Sequence, residues 1–246
     1  MYDHNHAELL LKGLAAGDRN GGPIRLAILL FEEVRQFGFS KSCVFDSYFD
    51  WVTTDGFDMG PTLASVCRYS QQGLSISEAV ERTHLDFDEK TAGIAPAHRA
   101  APLALFFQGS KLDEVAFKEA SLSHYSPTAG QVSVATVRLC SALLRGVDLH
   151  RACSLACEGL KDIDLSYLPK NERYKGGFAP KVLQTALSFL REHHNFEDAL
   201  SASLSFAGPA NYCPVLVGSM GACLFKEVPS SLLEHALYPQ KLDSLF

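Results

Sequence analysis

The chain has 246 residues, 47% of them hydrophobic, with 22 Lys and Arg against 28 Asp and Glu, a net charge of -6. That length suits one domain spanning 1–246 with a sizeable core. The acidic balance and scattered positive charges exclude a nucleic-acid footprint, and no apolar run reaches the ~18 residues a membrane helix needs.

The first residues place Asp3, His4 and His6 ahead of a short apolar run, which is not the pattern of a signal peptide. Periodicity predicts a helix over 7–16, with Leu9, Leu10, Leu11 and Leu14 as its apolar positions. It ends in a turn, Gly17-Asp18-Arg19-Asn20-Gly21-Gly22-Pro23, and Pro23 opens an amphipathic helix over 24–37 that Gly38 closes. A helix over 41–53 carries the single tryptophan, Trp51. A second turn follows, Thr54-Asp55-Gly56-Phe57-Asp58-Met59-Gly60-Pro61-Thr62, in which Asp58 can cap the next helix. A short helix is expected over 75–82, capped by Ser75 or Ser77, and then a charged loop over 86–90.

A third turn lies at 92–99 and contains Gly93, His98 and Arg99. His98 is a candidate ligand or acid/base, although one histidine in an Ala/Pro turn is more often structural. Helices over 112–121, 129–144 and 148–159 come next, the first leading to Ser123-His124-Tyr125-Ser126-Pro127. Cys153 and Cys157 sit one helical turn apart and could supply two metal ligands, but no CxxC or histidine completes a set, so they read as core. Seven cysteines, with Cys67, Cys140, Cys153 and Cys157 on apolar faces, read as free thiols of a reduced, cytoplasmic protein. After a polar linker over 162–175, a helix carries Val182, Leu183, Ala186, Phe189 and Leu190. A second runs over about 196–206, and a fourth turn, Ala207-Gly208-Pro209-Ala210-Asn211-Tyr212, opens a third with Pro214 near its first position and Gly218 and Gly221 three apart. Strand alternation is absent, so the expected fold class is all-α.

This last stretch resembles the C-terminal signature of the ADP-ribosylglycohydrolase family, which includes dinitrogenase-reductase-activating glycohydrolase and the ADP-ribosylarginine hydrolases. The family has Gly-Gly, a Leu/Ala helix, a second helix, Gly-Gly-Asp-x-Asp-Thr and a small-residue helix. Here Gly208-Pro209-Ala210-Asn211-Tyr212 stands in the acidic turn, and both metal-binding aspartates are missing. Asp58-Met59-Gly60 is similar to the family's Phe-Asp-Ile-Gly-x-Thr turn. Gly93, Arg99, Ala101, Pro102 and Leu103 match Gly-Asn-Gly-x-x-Met-Arg-x-Ala-Pro-Leu, with Ile94 and Ala95 narrowing the approach. Ser123-His124-Tyr125-Ser126-Pro127 is similar to Thr-His-x-x-Pro. Asn20-Gly21-Gly22-Pro23 replaces Thr-Asp-Asp-Thr, without the acidic loop that precedes it.

The resemblance implies an orthogonal multi-helix bundle of the ADP-ribosylglycohydrolase type. It also implies hydrolysis of an N- or O-glycosidic bond in an ADP-ribosyl or related ribosyl compound, and a nucleotide or ADP-ribosyl small molecule as partner. Family enzymes hold two Mg²⁺ or Mn²⁺ ions; with the carboxylates largely gone, no metal ligands and no cofactor are expected here. Asp18, Asp58, Asn211 and Cys213 are the catalytic candidates, and Asn20, Gly93, His98, Arg99, His124 and Tyr212 the substrate-binding ones. Cys213, at a helix start, is expected to be a low-pKa thiol or else a packing residue. The departures are similar to a branch that includes selenoprotein J and the J-crystallins of jellyfish lenses, so the alternative is a non-hydrolytic descendant: crystallin-like, ligand-binding, or a thiol catalyst using Cys213.

Overall fold

The computed structural model describes residues 3–161, 163–234, 236 and 245. Among them the chain forms thirteen α-helices and no strand. These are α1 (His4–Gly17), α2 (Gly22–Phe37), α3 (Lys41–Thr54), α4 (Pro61–Gln71), α5 (Ile76–Asp86), α6 (Ala95–Ala100), α7 (Leu103–Phe106), α8 (Gly109–Ala120), α9 (Pro127–Leu144), α10 (Leu149–Cys157), α11 (Ala179–Glu192), α12 (Phe196–Ala207) and α13 (Tyr212–Phe225). Single 3₁₀ turns occur at Lys170–Glu172 and Ser230–Leu233. One isolated bridge pairs Gly93 with Phe178. No helix among the described residues is long and apolar enough to cross a membrane.

Local chemistry sets many of the helix starts. Asp3 caps α1 by accepting from the N–H groups of Asn5 and His6. Ser75 and Glu78 form a reciprocal capping box on α5. Asp148 caps α10 and Asn195 caps α12. Three sequence expectations change. The helix expected after the second turn is α4, but its cap is Gly60; Asp58 makes no cap bond there. Part of the third turn is itself helical, as α6. Pro214 occupies the third position of α13, not the first.

The apolar faces assemble into two clusters. One gathers α1, α10, α11, α12 and α13; the other gathers α3, α4, α5 and α8. Helices α2 and α9 serve both, because they are apolar on opposite sides: Ile24, Ile28 and Phe31 of α2 enter the first cluster, Leu26, Leu30 and Val34 the second. Each such fully buried side chain contributes about 1.5–3 kcal/mol.

Helices α1 and α13 cross at backbone contact. A Cβ on Gly13 would lie 2.5 Å from the Gly218 carbonyl oxygen, and a Cβ on Gly17 or Gly218 would overlap backbone of the opposite helix. This crossing places the turn after α1 beside the turn before α13, and the candidate site lies there.

Candidate functional site

The turn at 17–23 is organised by Asp18, which is 1% exposed. Its Oδ1 accepts from the N–H groups of Asn20 (3.1 Å) and Gly21 (2.9 Å), and its Oδ2 from Ile24 (2.8 Å). The side-chain amide of Asn211 also donates to Asp18. Asn211 Oδ1 accepts from the Arg19 N–H at 3.2 Å, and Arg19 Nη1 donates to the Gly208 carbonyl at 2.5 Å. Two turns almost two hundred residues apart are thus tied together through one amide.

The turn at 54–62 joins them through Asp58. Its carboxylate lies beside the side chains of Asn20 and Asn211 and the Gly22 N–H, which favour its charged form. Burial and then the Asp18 charge raise its pKa above the usual carboxylate value; burial also raises that of Asp18, against its four hydrogen bonds. Asp58 takes a positive φ of 47°, and a Cβ on Gly22 would overlap the Asp58 backbone. Only glycine at 22 lets these two turns touch.

Above this cluster opens a cleft of about 760 Å³, whose wall includes Pro23, Asp58, Gly93, His98, Asn211 and Tyr212. All four special turns therefore contribute to one cavity, of the size that takes drug-like or nucleotide-sized ligands. His98 is buried, and its Nε2 donates to the Tyr212 carbonyl at 2.7 Å; burial first, then Arg99, lowers its pKa to about 4. His124 is also buried and on the wall, with a pKa lowered to about 3 for the same two reasons. Both rings are neutral at pH 7.

Three candidates stand differently from expectation. Cys213 is 2% exposed and lies off the cleft wall. Desolvation overrides the helix terminus and raises its thiol pKa to about 12, so the low-pKa nucleophile is corrected to a packing residue. Arg99 is wholly buried and off the cleft wall. Its Nε pairs with Glu119 at 2.5 Å, its Nη2 donates to Ser123 at 2.8 Å, and its guanidinium lies over the Tyr48 ring; direct substrate contact is corrected to an internal role. Neither Asp18 nor Asn20 lines the cleft; they bear on it through Asp58 and Asn211, which do.

Sequence reading missed several wall residues, notably Thr62, Phe87, Lys90, Tyr174 and Phe178. Phe178 was findable, because Gly176-Gly177 precedes it and Gly177 lets the Tyr212 ring lie within 3.3 Å of where a Cβ would stand. Glu119 was findable too. It falls on the helical face of Leu112, Val115, Ala116 and Ala120, where a carboxylate needs a buried partner. Among the described residues no three His, Cys, Asp or Glu side chains are grouped to hold a metal ion.

The family profile for ADP-ribosylglycohydrolase matches residues 5–246. No curated protein matches. A solved structure titled "ADP-ribosylglycohydrolase-related protein complex" superposes with a TM-score of 0.78 at 20% identity, covering 98% of this chain and 95% of that one. That likeness shows the same all-α fold, and the profile, spanning nearly the whole length, shows that the chain belongs to the ADP-ribosylglycohydrolase family.

Proposed function

We propose that the cleft binds an ADP-ribosyl or related ribosyl compound and hydrolyses its N- or O-glycosidic bond, with Asp58 as general base and without the family's metal pair. The observation that carries this reading is the set of helix starts around the Asp58–Asn211 cluster. Helices α4 and α13 both begin on the cleft wall, and neither has a side-chain cap. First-turn N–H groups lack intrahelical partners, and the positive ends of the helices favour anionic groups. Among the wall side chains Lys90 is the one formal cation, so these backbone ends are the main attraction for phosphate.

The residues present do not fit two Mg²⁺ or Mn²⁺ ions. A hard cation takes about six oxygen ligands, with carboxylates offsetting its dehydration. Here both Asp18 oxygens are taken by N–H donors. Asp58 is the one remaining carboxylate on the cleft wall besides Glu89, and the Asp18 charge beside it already raises its pKa. The amides of Asn20 and Asn211 supply the positive partners that ions would otherwise provide.

In the proposed step Asp58 removes a proton from water. The water oxygen bonds to the anomeric carbon as the glycosidic bond breaks, and the leaving group departs with the bonding pair and takes a proton from cleft water. Asn211 orients Asp58, and Asp18 keeps its affinity for a proton high through charge repulsion. The test is release of ADP-ribose or ribose from N- and O-linked substrates with and without EDTA. Turnover should be indifferent to EDTA, and Asp58→Asn should reduce it by about 10²–10⁴-fold. Failure to cleave any ribosyl compound, or complete loss in EDTA, overturns the proposal.

A further inference from the structure

We infer that Arg99, which never reaches the cleft, decides what the cleft accepts by holding His124 as a fixed hydrogen-bond donor, with Ser123 as the link between them. The argument follows one buried chain of hydrogen bonds. Glu119 Oε1 accepts from Arg99 Nε at 2.5 Å and from the Tyr48 hydroxyl at 3.0 Å. Arg99 Nη2 donates to Ser123 Oγ at 2.8 Å. Ser123 Oγ lies 2.8 Å from His124 Nδ1. Glu119, Arg99 and Ser123 are all fully buried.

A guanidinium can only donate, so Ser123 must accept from Arg99. The serine hydrogen then needs an acceptor of its own, and His124 Nδ1 is the remaining partner of that oxygen. With Nδ1 accepting, the neutral ring carries its proton on Nε2. The reverse arrangement strands a buried hydroxyl hydrogen, at about 1–3 kcal/mol, and turns an N–H toward the guanidinium side.

Nε2 makes no bond in the structure, although His124 is 4% exposed and on the cleft wall. It lies beside Gly93, where an added Cβ would come within 3.0 Å of it. The free N–H selects a ligand that presents a lone pair at that point, such as a carbonyl oxygen, a ring nitrogen or a phosphate oxygen, and rejects one that presents a hydrogen. His124 with a pKa of about 3 is a donor and not a proton shuttle. Arg99 and Ser123 are positioning residues. The use made of the donor rests on the ribosyl reading above; its existence does not.

Nitrogen-15 NMR of the imidazole rings in the full chain reads the tautomer directly. The expected result is a neutral His124 with its proton on Nε2 from about pH 8 down to about pH 5, without the titration near 6.5 of a free imidazole. Ser123→Ala should release the ring to a mixture of tautomers, and Ser123→Thr should restore the single form. Calorimetry with ADP-ribose gives the second readout. Affinity should fall about tenfold in Ser123→Ala and in Gly93→Ala, a typical effect of losing one oriented donor, and recover in Ser123→Thr. A proton on Nδ1 in the unsubstituted protein, or a tautomer unmoved by Ser123→Ala, overturns the inference. An Nε2–H tautomer in a protein that shows no affinity for ADP-ribose would leave the donor standing and sink the ribosyl reading.

Discussion

A cysteine at a helix start is pulled two ways. The helix terminus favours the thiolate, and burial disfavours any charge. At Cys213 burial wins, with the thiol raised to about 12. Sequence displays only the first influence, because the helix start is local and burial is made by chain distant in sequence, which includes the segment of Arg173 and Lys175. Alkylation at neutral pH followed by peptide mapping should therefore label Cys43, which is exposed, and leave Cys213 untouched until the protein unfolds; faster labelling of Cys213 would return it to the list of nucleophiles. Arg99 teaches the same lesson in reverse. Its motif is readable, but its commitment to Glu119, twenty residues on, is settled by packing.

At the scale of elements, periodicity and caps were legible because both are local. The apolar periodicity of α2 and α11 and the small-residue run of α9 gave their positions to within a few residues, and a serine at 75 or 77 announced α5. The start of helix α4 is misread, because Asp58 looks like its cap and the actual cap, Gly60, makes no side-chain bond. What no local rule reveals is that one turn requires the shape of another. Gly22 lies against the Asp58 backbone so closely that a methyl group forces the two turns apart. Gly22→Ala should cost about 1–3 kcal/mol of stability, typical of overpacking, and should lose cleft activity out of proportion to that, because it displaces the base. Urea unfolding and steady-state kinetics on the same variant check this. A stable variant with full activity would mean that the Asp58 turn adapts freely.

At the scale of the whole molecule, the buried histidines make stability depend on pH. In the folded state His98 and His124 have pKa values of about 4 and about 3, below the ordinary 6.5. The unfolded chain binds their protons first as pH falls. Their contribution is complete above about pH 6.5 and is lost on acidification toward pH 4 and 3. At pH 5 each has given up about 2 kcal/mol, from a gap of about 1.5 units at 1.36 kcal/mol per unit. Asp18 and Asp58, raised in the fold, act in the opposite sense: they cost stability above their raised pKa values, and the cost is relieved as pH falls through them. The urea midpoint should therefore drop between pH 7 and 5, and the His98→Asn, His124→Asn double variant should show a shallower slope. An unchanged slope would mean that these rings take up protons inside the fold.

The crossing of α1 and α13 has a consequence in time. As the chain leaves the ribosome, α1 emerges first, yet the Gly13 and Gly17 groove that seats its partner stays empty until Gly218 has been made. Closing that seam joins the two ends of the described fold, a contact of very high sequence separation whose loop-closure entropy is paid late. Because the Asp18 turn and the Asn211 turn sit at that seam, the cleft is among the last parts of the molecule to exist. A nascent or truncated chain can hold most of its helices and still have no site.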